Sequence, residues 1–319
     1  MKNLWARSLL LVLAGMVFFA VLGIALTWAP DIPVDELKAR WAQPPSTFIE
    51  VNGLQVHVRD EGPRTDPVPI VLLHGTSASL HTWEGWAQTL KDKRRVIRMD
   101  LPGFALTGPN RQNDYSMDTY VQFVRGFLDK LGLERVVLAG NSLGGQIAWA
   151  TAAKLPDRVD RLILVDASGY PPESIAGGQS VPIGFRIMTV PGLRELAEHT
   201  LPRGVIESSV RNVYADPSKV TPQLVDLYAD MARREGNRHA LARRLEQGYT
   251  GDVTQLATIK APTLILWGAQ DRLLPPELAQ RFAHDIPNSK LVMLDRLGHV
   301  PQEEDPARSV AEVRRFLGL

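Results

Sequence analysis

The sequence contains no cysteine and no excess of charge of either sign. The absence of cysteine excludes disulfide bonds, thiolate nucleophiles and cysteine-ligated metals. Lysine and arginine number 36 against 35 aspartate and glutamate, so the charge balance does not indicate a nucleic acid or another polyanion as partner. Internal repeats and low-complexity tracts are also lacking. The 319 residues suit one large domain with an accessory segment.

Charge is missing altogether from one long apolar run between Ser8 and Ala29. As a helix this run would span roughly 33 Å, which is enough to cross the hydrocarbon core of a bilayer. Lys2 and Arg7 precede the run, and acidic residues follow it from Asp31 onward. The positive-inside rule then predicts a single-pass membrane protein with a cytoplasmic N-terminus and its remaining residues on the far (periplasmic or extracellular) side.

Two other interpretations of the apolar run stay open. A cleaved secretory signal usually has a core of only ~7–15 apolar residues, and residues 26–30 are a poor match to a cleavage site. A buried helix of a soluble protein is the remaining alternative. We predict an uncleaved transmembrane anchor over residues 1–30, followed by a proline-rich tether over residues 31–47 with a short amphipathic stretch inside it.

From residue 48 onward, short apolar runs alternate with helical patterns. The Asn52-Gly53 pair predicts a hairpin between the first two strands. Strands separated by helices need crossover connections, so the pattern predicts an α/β fold with a mostly parallel sheet covered on both faces. The predicted strands are 48–51, 54–58, 69–73, 95–99, 136–139, 162–165, 263–266 and 290–294. The predicted helices include 117–131, 144–155, 276–286 and 306–317.

One stretch, residues 170–250, carries no strong strand signal. It opens with the pairs Pro171-Pro172 and Gly177-Gly178, and its pattern becomes helical over residues 221–247. Long insertions in surface connections are tolerated, and ligands of open α/β sheets bind at the carboxyl ends of the strands. We therefore predict a helical cap over that edge, dividing the core into residues 48–169 and 251–319.

The most specific motif is Gly140-Asn141-Ser142-Leu143-Gly144, which matches G-x-S-x-G between a predicted strand and a predicted helix. Small residues at both ends of the motif allow a tight turn that exposes the Ser142 hydroxyl. The turn also puts this hydroxyl near a helix N-terminus, whose dipole favours developing negative charge. A glycine-rich turn with a buried serine is the simpler interpretation. The strand and helix on either side favour a nucleophile.

A serine hydroxyl needs an adjacent base, and a third group must hold the tautomer of that base. His299 lies in a glycine-flanked loop after the last predicted strand, so it is the predicted base. Asp271 follows the strand before it and is the predicted acid. Asp166, one strand earlier, is the alternative. For the other histidines, surface or structural roles are favoured.

Developing charge on a substrate oxygen needs two backbone donors. The N–H group of Leu143, directly after the predicted nucleophile, is one candidate. The N–H group of Thr76, in the loop after His74-Gly75, is the other. Because both contributions come from the main chain, the side chains at these two positions are weakly constrained.

Together these motifs resemble the α/β-hydrolase superfamily over nearly the whole chain after residue 48. The matching segments are 74–75, 100–104, 140–145, 267–271 and 298–301. The resemblance implies a sheet of about eight strands with a helical cap, and neither a cofactor nor a metal. Ala105 departs from the pattern, because relatives usually carry glycine there.

The resemblance does not fix the reaction. Ser142 argues against dehalogenases and epoxide hydrolases, which use an aspartate at this position. The leading hypothesis is a membrane-anchored carboxylesterase or lipase-like enzyme acting on a small, apolar ester. Asn141 is also found in hydrolases that cleave carbon–carbon bonds of ring-fission products, so that reaction is an alternative, as is cofactor-free perhydrolysis. A binding protein without turnover is the alternative from another class.

Overall fold

The computed structural model describes residues 2–171, 190, 192–248 and 251–319. These residues form one eight-stranded sheet. Its strands are β1 (Ser46–Val51), β2 (Leu54–Glu61), β3 (Ile70–Leu73), β4 (Val96–Met99), β5 (Val136–Asn141), β6 (Val159–Val165), β7 (Thr263–Gly268) and β8 (Ser289–Leu294). Their order is β1-β2-β4-β3-β5-β6-β7-β8. The pairs β1-β2 and β2-β4 are antiparallel, whereas every pair from β4 to β8 is parallel. The predicted mostly parallel α/β sheet is confirmed.

Local sequence explains the two kinds of strand. Asn52 and Gly53 both have positive φ, 51° and 82°, as the tight turn between β1 and β2 requires. In the central parallel strands β3, β4, β5 and β7 every residue is buried. Burial on both faces is why these strands read as continuous apolar runs in the sequence instead of alternating.

Helices cover both faces of the sheet. They are α3 (Glu84–Leu90), α4 (Met117–Lys130), α5 (Leu143–Lys154), α10 (Glu277–Asp285), α11 (Pro301–Glu304) and α12 (Pro306–Leu317). On one face, α4, α5 and α10 enclose a large apolar cluster that includes Phe127, Ile147 and Phe282. On the other face, α3 and α12 enclose a second cluster that includes Trp86 and Val313. The sheet is therefore the middle layer of three.

The described residues of the predicted cap form four α-helices joined by short segments that are not α-helical. Its helices are α6 (Leu193–Ala197), α7 (Arg203–Val213), α8 (Pro222–Arg233) and α9 (Asn237–Glu246). The helical pattern at 221–247 is two helices: α8 ends where Arg234 leaves the helical region with a ψ of 131°, and Gly236, with a φ of 81°, precedes α9. Residues 172–189, 191 and 249–250 of the predicted insertion, including Pro172 and Gly177-Gly178, lie outside the described residues.

The N-terminal segment forms helices α1 (Lys2–Thr27) and α2 (Val34–Trp41). Within α1, residues Leu10–Thr27 have a mean hydropathy of 2.6 and no buried residue. This helix has the length and composition to cross a membrane, properties that a signal sequence shares.

Residues 31–41 of the predicted tether, and Ala29 before it, are bonded to the helical segment at 193–248. The N–H of Ala29 donates to the carbonyl of His199 at 3.0 Å, and the N–H of Ile32 donates to the carbonyl of Arg233 at 2.7 Å. On α2, the indole N–H of Trp41 donates to Asp230 of α8 at 2.9 Å. The segment after α1 is thus packed on the cap helices and is not a free linker.

Candidate active site

Ser142 lies at a strained turn between β5 and α5. Its φ of 53° and ψ of −118° are rare for a residue with a side chain and cost of order 1–3 kcal/mol. A Cβ on Gly140 would overlap the backbone of Gly144, and a Cβ on Gly144 would overlap the carbonyl of Leu73. The glycines of the motif are therefore required by close main-chain approaches, as the sequence predicts.

His299 and Asp271 form a buried pair. Nδ1 of His299 lies 2.7 Å from Oδ2 of Asp271, while Oδ1 of Asp271 accepts from the N–H groups of Leu273 at 2.7 Å and Leu274 at 2.9 Å. Because an ionised carboxylate only accepts hydrogen bonds, Nδ1 carries the proton and Nε2 is left as an acceptor. Nε2 is buried and has no partner among the described residues.

The main chain places the serine turn beside the histidine loop. The side-chain amide of Asn141 donates to the carbonyl of His299 at 2.9 Å and to the carbonyl of Val165 at 3.1 Å. The N–H of Ser142 donates to the same Val165 carbonyl at 3.1 Å. Asn141 thus ties the ends of β5 and β6 to the loop that carries the imidazole. No sequence motif predicts this role for Asn141.

Two main-chain segments face the serine turn. Leu143 is the first residue of α5, so its N–H has no acceptor within the helix. On the other side, a Cβ on Gly75 would lie 3.1 Å from Cβ of Ser142, which places the loop after β3, with Thr76 next in the chain, against the turn. His74 fixes this loop: its Nε2 accepts from the N–H of Leu101 at 2.9 Å. Burial lowers the pKa of His74, which keeps the ring neutral.

Asp166, the alternative acid, bonds elsewhere. Its Oδ1 accepts from the N–H of Gly268 at 2.8 Å, and its side chain is fully buried. Burial, followed by the charge of Asp271, raises the pKa of Asp166 well above its ordinary range. Of the two carboxyl groups, Asp271 is the one within hydrogen-bonding distance of the His299 ring.

Glu304 is a site residue that the sequence analysis missed. Its carboxylate accepts from the N–H of Gly298 at 2.8 Å, of Ala215 at 3.0 Å and of Asp216 at 2.9 Å. The N–H of His299 also donates to the carbonyl of Val213, at 2.8 Å. The end of α7 in the cap is therefore bonded to the histidine loop. In sequence, nothing distinguishes this buried glutamate from its acidic neighbours Glu303 and Asp305.

Asp166, Asp271 and His299 are also the three described residues whose geometry comes nearest to a metal site, with one ligand atom from each within 4.8 Å of the others. Asp271, however, is occupied by two N–H groups and the imidazole. Asp166 is occupied by Gly268. The arrangement suits proton transfer better than cation binding, because three of the four carboxylate oxygens already have donors.

Comparison with known proteins identifies the family of this chain. The family model described as alpha/beta hydrolase fold matches residues 68–306, which is most of the chain. The chain belongs to the α/β-hydrolase family. One relative is the 2-hydroxy-6-oxo-2,4-heptadienoate hydrolase of Pseudomonas putida. It is 30% identical to this chain, over 85% of this chain and 95% of its own length.

Similar solved structures differ in the share of this chain that they cover. A variant of the meta-cleavage product hydrolase CumD from Pseudomonas fluorescens has a TM-score of 0.73 and 25% identity, covering 85% of this chain and 97% of that chain. A membrane phospholipase A, described as a bacterial virulence factor, has a TM-score of 0.72 and 26% identity, covering 100% of this chain and 98% of that chain. The similarity to the phospholipase therefore extends over the N-terminal helix.

Proposed function

We propose that this α/β-hydrolase is a serine hydrolase that cleaves carboxylic esters through an acyl-enzyme, with Ser142 as nucleophile, His299 as base and Asp271 as acid. The observation that carries the proposal is the buried His299 ring. Its Nδ1 is held by Asp271 at 2.7 Å, and its Nε2, which has no partner in the described part of the chain, can accept a proton beside the strained serine turn.

The proposed reaction has two halves. Oγ of Ser142 attacks the ester carbonyl while Nε2 of His299 takes the hydroxyl proton. The N–H groups of Leu143 and Thr76 stabilise the oxyanion, and His299 returns the proton to the departing alcohol. In the second half, His299 takes a proton from water, the resulting hydroxide attacks the acyl-enzyme, and the proton passes to Ser142 as the acid leaves.

We further propose that the enzyme works as a single-pass membrane protein on an apolar ester. The exposed apolar helix α1 supports an anchor, and similarity to a membrane phospholipase A over the full chain supports a lipid-like substrate. The flanking charges support a cytoplasmic N-terminus. Carbonate extraction of membranes with the full-length chain tests the anchor: retention in the pellet is expected, whereas release into the supernatant contradicts it.

A second candidate function is hydrolysis of a carbon–carbon bond by the same three residues. The 30% identity to the P. putida dienoate hydrolase favours it, as does Asn141 before the serine. That similarity covers 85% of the chain, whereas the phospholipase similarity covers 100%. We rank ester cleavage first because the similarity that favours it, to the phospholipase, also includes the N-terminal helix.

One set of assays on the full chain in detergent separates these functions. We expect turnover of p-nitrophenyl esters of medium to long acyl chains and labelling by a fluorophosphonate probe, both lost in Ser142→Ala. Hydrolysis of a ring-fission dienoate without activity on any ester would establish the second candidate instead. A wild-type protein that is not labelled by the probe would contradict both and indicate a binding protein.

A further inference from the structure

A second buried carboxyl group lies beside the Asp271 carboxylate. Asp166 follows β6 with a φ of 42°, a backbone conformation in which Asp and Asn are enriched among residues with side chains. Its side chain has no exposure to solvent. Asp166, Asp271 and His299 each place one polar atom within 4.8 Å of the others. The proposed reaction uses Asp271 and leaves the strained, buried Asp166 without a task.

Hydrogen-bond donors decide which of the two carboxyl groups keeps the negative charge. Two carboxylates in one dry site repel each other, so one of them holds a proton. Asp271 receives the N–H groups of Leu273 and Leu274 and Nδ1–H of His299. From the described part of the chain, Asp166 receives only the N–H of Gly268, on Oδ1. The better-supplied carboxylate, Asp271, is the one that stays ionised.

The surroundings of Oδ2 of Asp166 agree with a proton on that atom. Oδ2 is buried and has no donor among the described residues. The charged groups acting on Asp166 are Asp271 and, more weakly, Glu304, and both oppose its ionisation. His299 is the one basic side chain in this cluster, and its Nδ1 already faces Asp271. Burial of Asp166 is the largest cause of its raised pKa, and it favours the protonated form as these charges do.

We propose that Asp166 is a positioning residue: it holds a proton on Oδ2 and donates it to Asp271, which keeps the Asp271 carboxylate aimed at His299. The proposal rests on the proposed function. It differs from a catalytic role because Asp166 touches neither the substrate nor the reacting imidazole, and it acts through Asp271.

Paired substitutions test this role. An asparagine at 166 keeps an oxygen for the Gly268 N–H and supplies an amide N–H where the acid proton would be. We expect Asp166→Asn to retain turnover. Asp166→Ala should lose about 10²-fold in kcat with little change in KM, because in that variant nothing orients the Asp271 carboxylate toward His299. Asp166→Asn as inactive as Asp271→Asn would overturn the proposal, because it would mean that Asp166 must be ionised. An Asp166→Ala enzyme with wild-type kcat would overturn it too.

A spectroscopic measurement keeps the test independent of turnover. Infrared difference spectra of the full-length protein at neutral pH, wild type minus Asp166→Asn, should show the carbonyl band of a protonated carboxylic acid. Glu303, another buried carboxyl group whose pKa is raised by burial, is present in both samples and cancels. A spectrum without the band contradicts the protonated Asp166, whatever the activity. Presence of the band in a protein that the fluorophosphonate does not label would support the protonated Asp166 and contradict the proposed function.

Discussion

The described residues include two serine–histidine–aspartate groups, and their surroundings differ in the features that the proposed nucleophile needs. In the second arrangement, Oγ of Ser46 lies 2.9 Å from Nε2 of His57, and Nδ1 of His57 lies 2.7 Å from Oδ2 of Asp100. This last distance equals the one between His299 and Asp271. By residue type and aspartate–histidine distance alone, the two groups are equivalent.

The surroundings of the two serines are not equivalent. Ser46 opens the extended strand β1, and its oxygen already receives Nε–H of Arg59 at 2.9 Å in addition to its contact with His57. Ser142 occupies a positive-φ turn at the start of a helix, beside main-chain N–H groups suited to an oxyanion. The imidazole nitrogen of His299 that would take its proton has no partner among the described residues.

Asp100 also differs from Asp271 in what it connects. Besides His57, its carboxylate accepts from the N–H of Leu80 at 2.7 Å and of Leu106 at 3.0 Å, so it joins three segments of the fold. Burial alone would raise the pKa of Asp100. The charge of His57 and the hydrogen bond from His57 outweigh burial and lower this pKa to about 2. We interpret the Ser46 group as a structural junction.

Replacing each of the two serines by alanine should give the greatest difference in kcat. Ser142→Ala should lower kcat on an activated ester by roughly 10⁶-fold, because no other group forms the acyl-enzyme. Ser46→Ala should leave kcat per folded molecule unchanged. Ester turnover and fluorophosphonate labelling of both variants give the measurement. Labelling that survives in Ser142→Ala and disappears in Ser46→Ala would reverse our assignment.

The acids come next. Asp271→Asn should lower kcat by about 10⁴-fold, since the amide holds His299 in the wrong tautomer. Asp100→Asn should retain the kcat of its folded fraction and lose stability instead. Steady-state kinetics with concentrations corrected by active-site titration distinguish the two. Comparable losses of kcat in both variants would show that the His57 group contributes to turnover.

The turn itself gives a smaller effect. In Gly144→Ala the new methyl group meets the carbonyl of Leu73, which we expect to displace Ser142 and lower kcat by about 10²-fold. Gly204, near the start of α7, has open space around its Cα and is the matched control. Gly204→Ala should keep full activity and gain about 0.5–1 kcal/mol of stability. Equal activities of the two variants would argue against a sterically required elbow.

The last expected difference concerns how the free energy of unfolding depends on acidic pH, and it leaves kcat unaffected. Asp100 has a folded pKa of about 2, below the ~3.9 of an unfolded chain, so its contribution is fully present above pH ~4. That contribution, about 2–3 kcal/mol, is lost as the pH falls from about 4 to about 2. Thermal unfolding midpoints at several pH values should fall less steeply for Asp100→Asn than for wild type. Parallel curves would contradict the depressed pKa.

Much of the fold follows from local pattern. The Asn52-Gly53 turn, the buried central strands and the Gly-x-Ser-x-Gly turn all depend on residues close together in sequence, and the structure has them where the pattern predicts. The split of the predicted helical stretch at residues 234–236 was missed, because helical periodicity continues on both sides of this short break.

Short-range pattern alone predicts the order in which the candidate residues follow the strands: a serine after β5, acids after β6 and β7, and a histidine after β8. These assignments need only local rules, because parallel strands end at one edge of the sheet. Three features required the folded structure: which acid contacts Nδ1 of His299, how Glu304 joins the end of α7 to the histidine loop, and the bonding of the segment after α1 to residues of 193–248. Each of these depends on where groups far apart in the chain come within hydrogen-bonding distance, which no local pattern encodes.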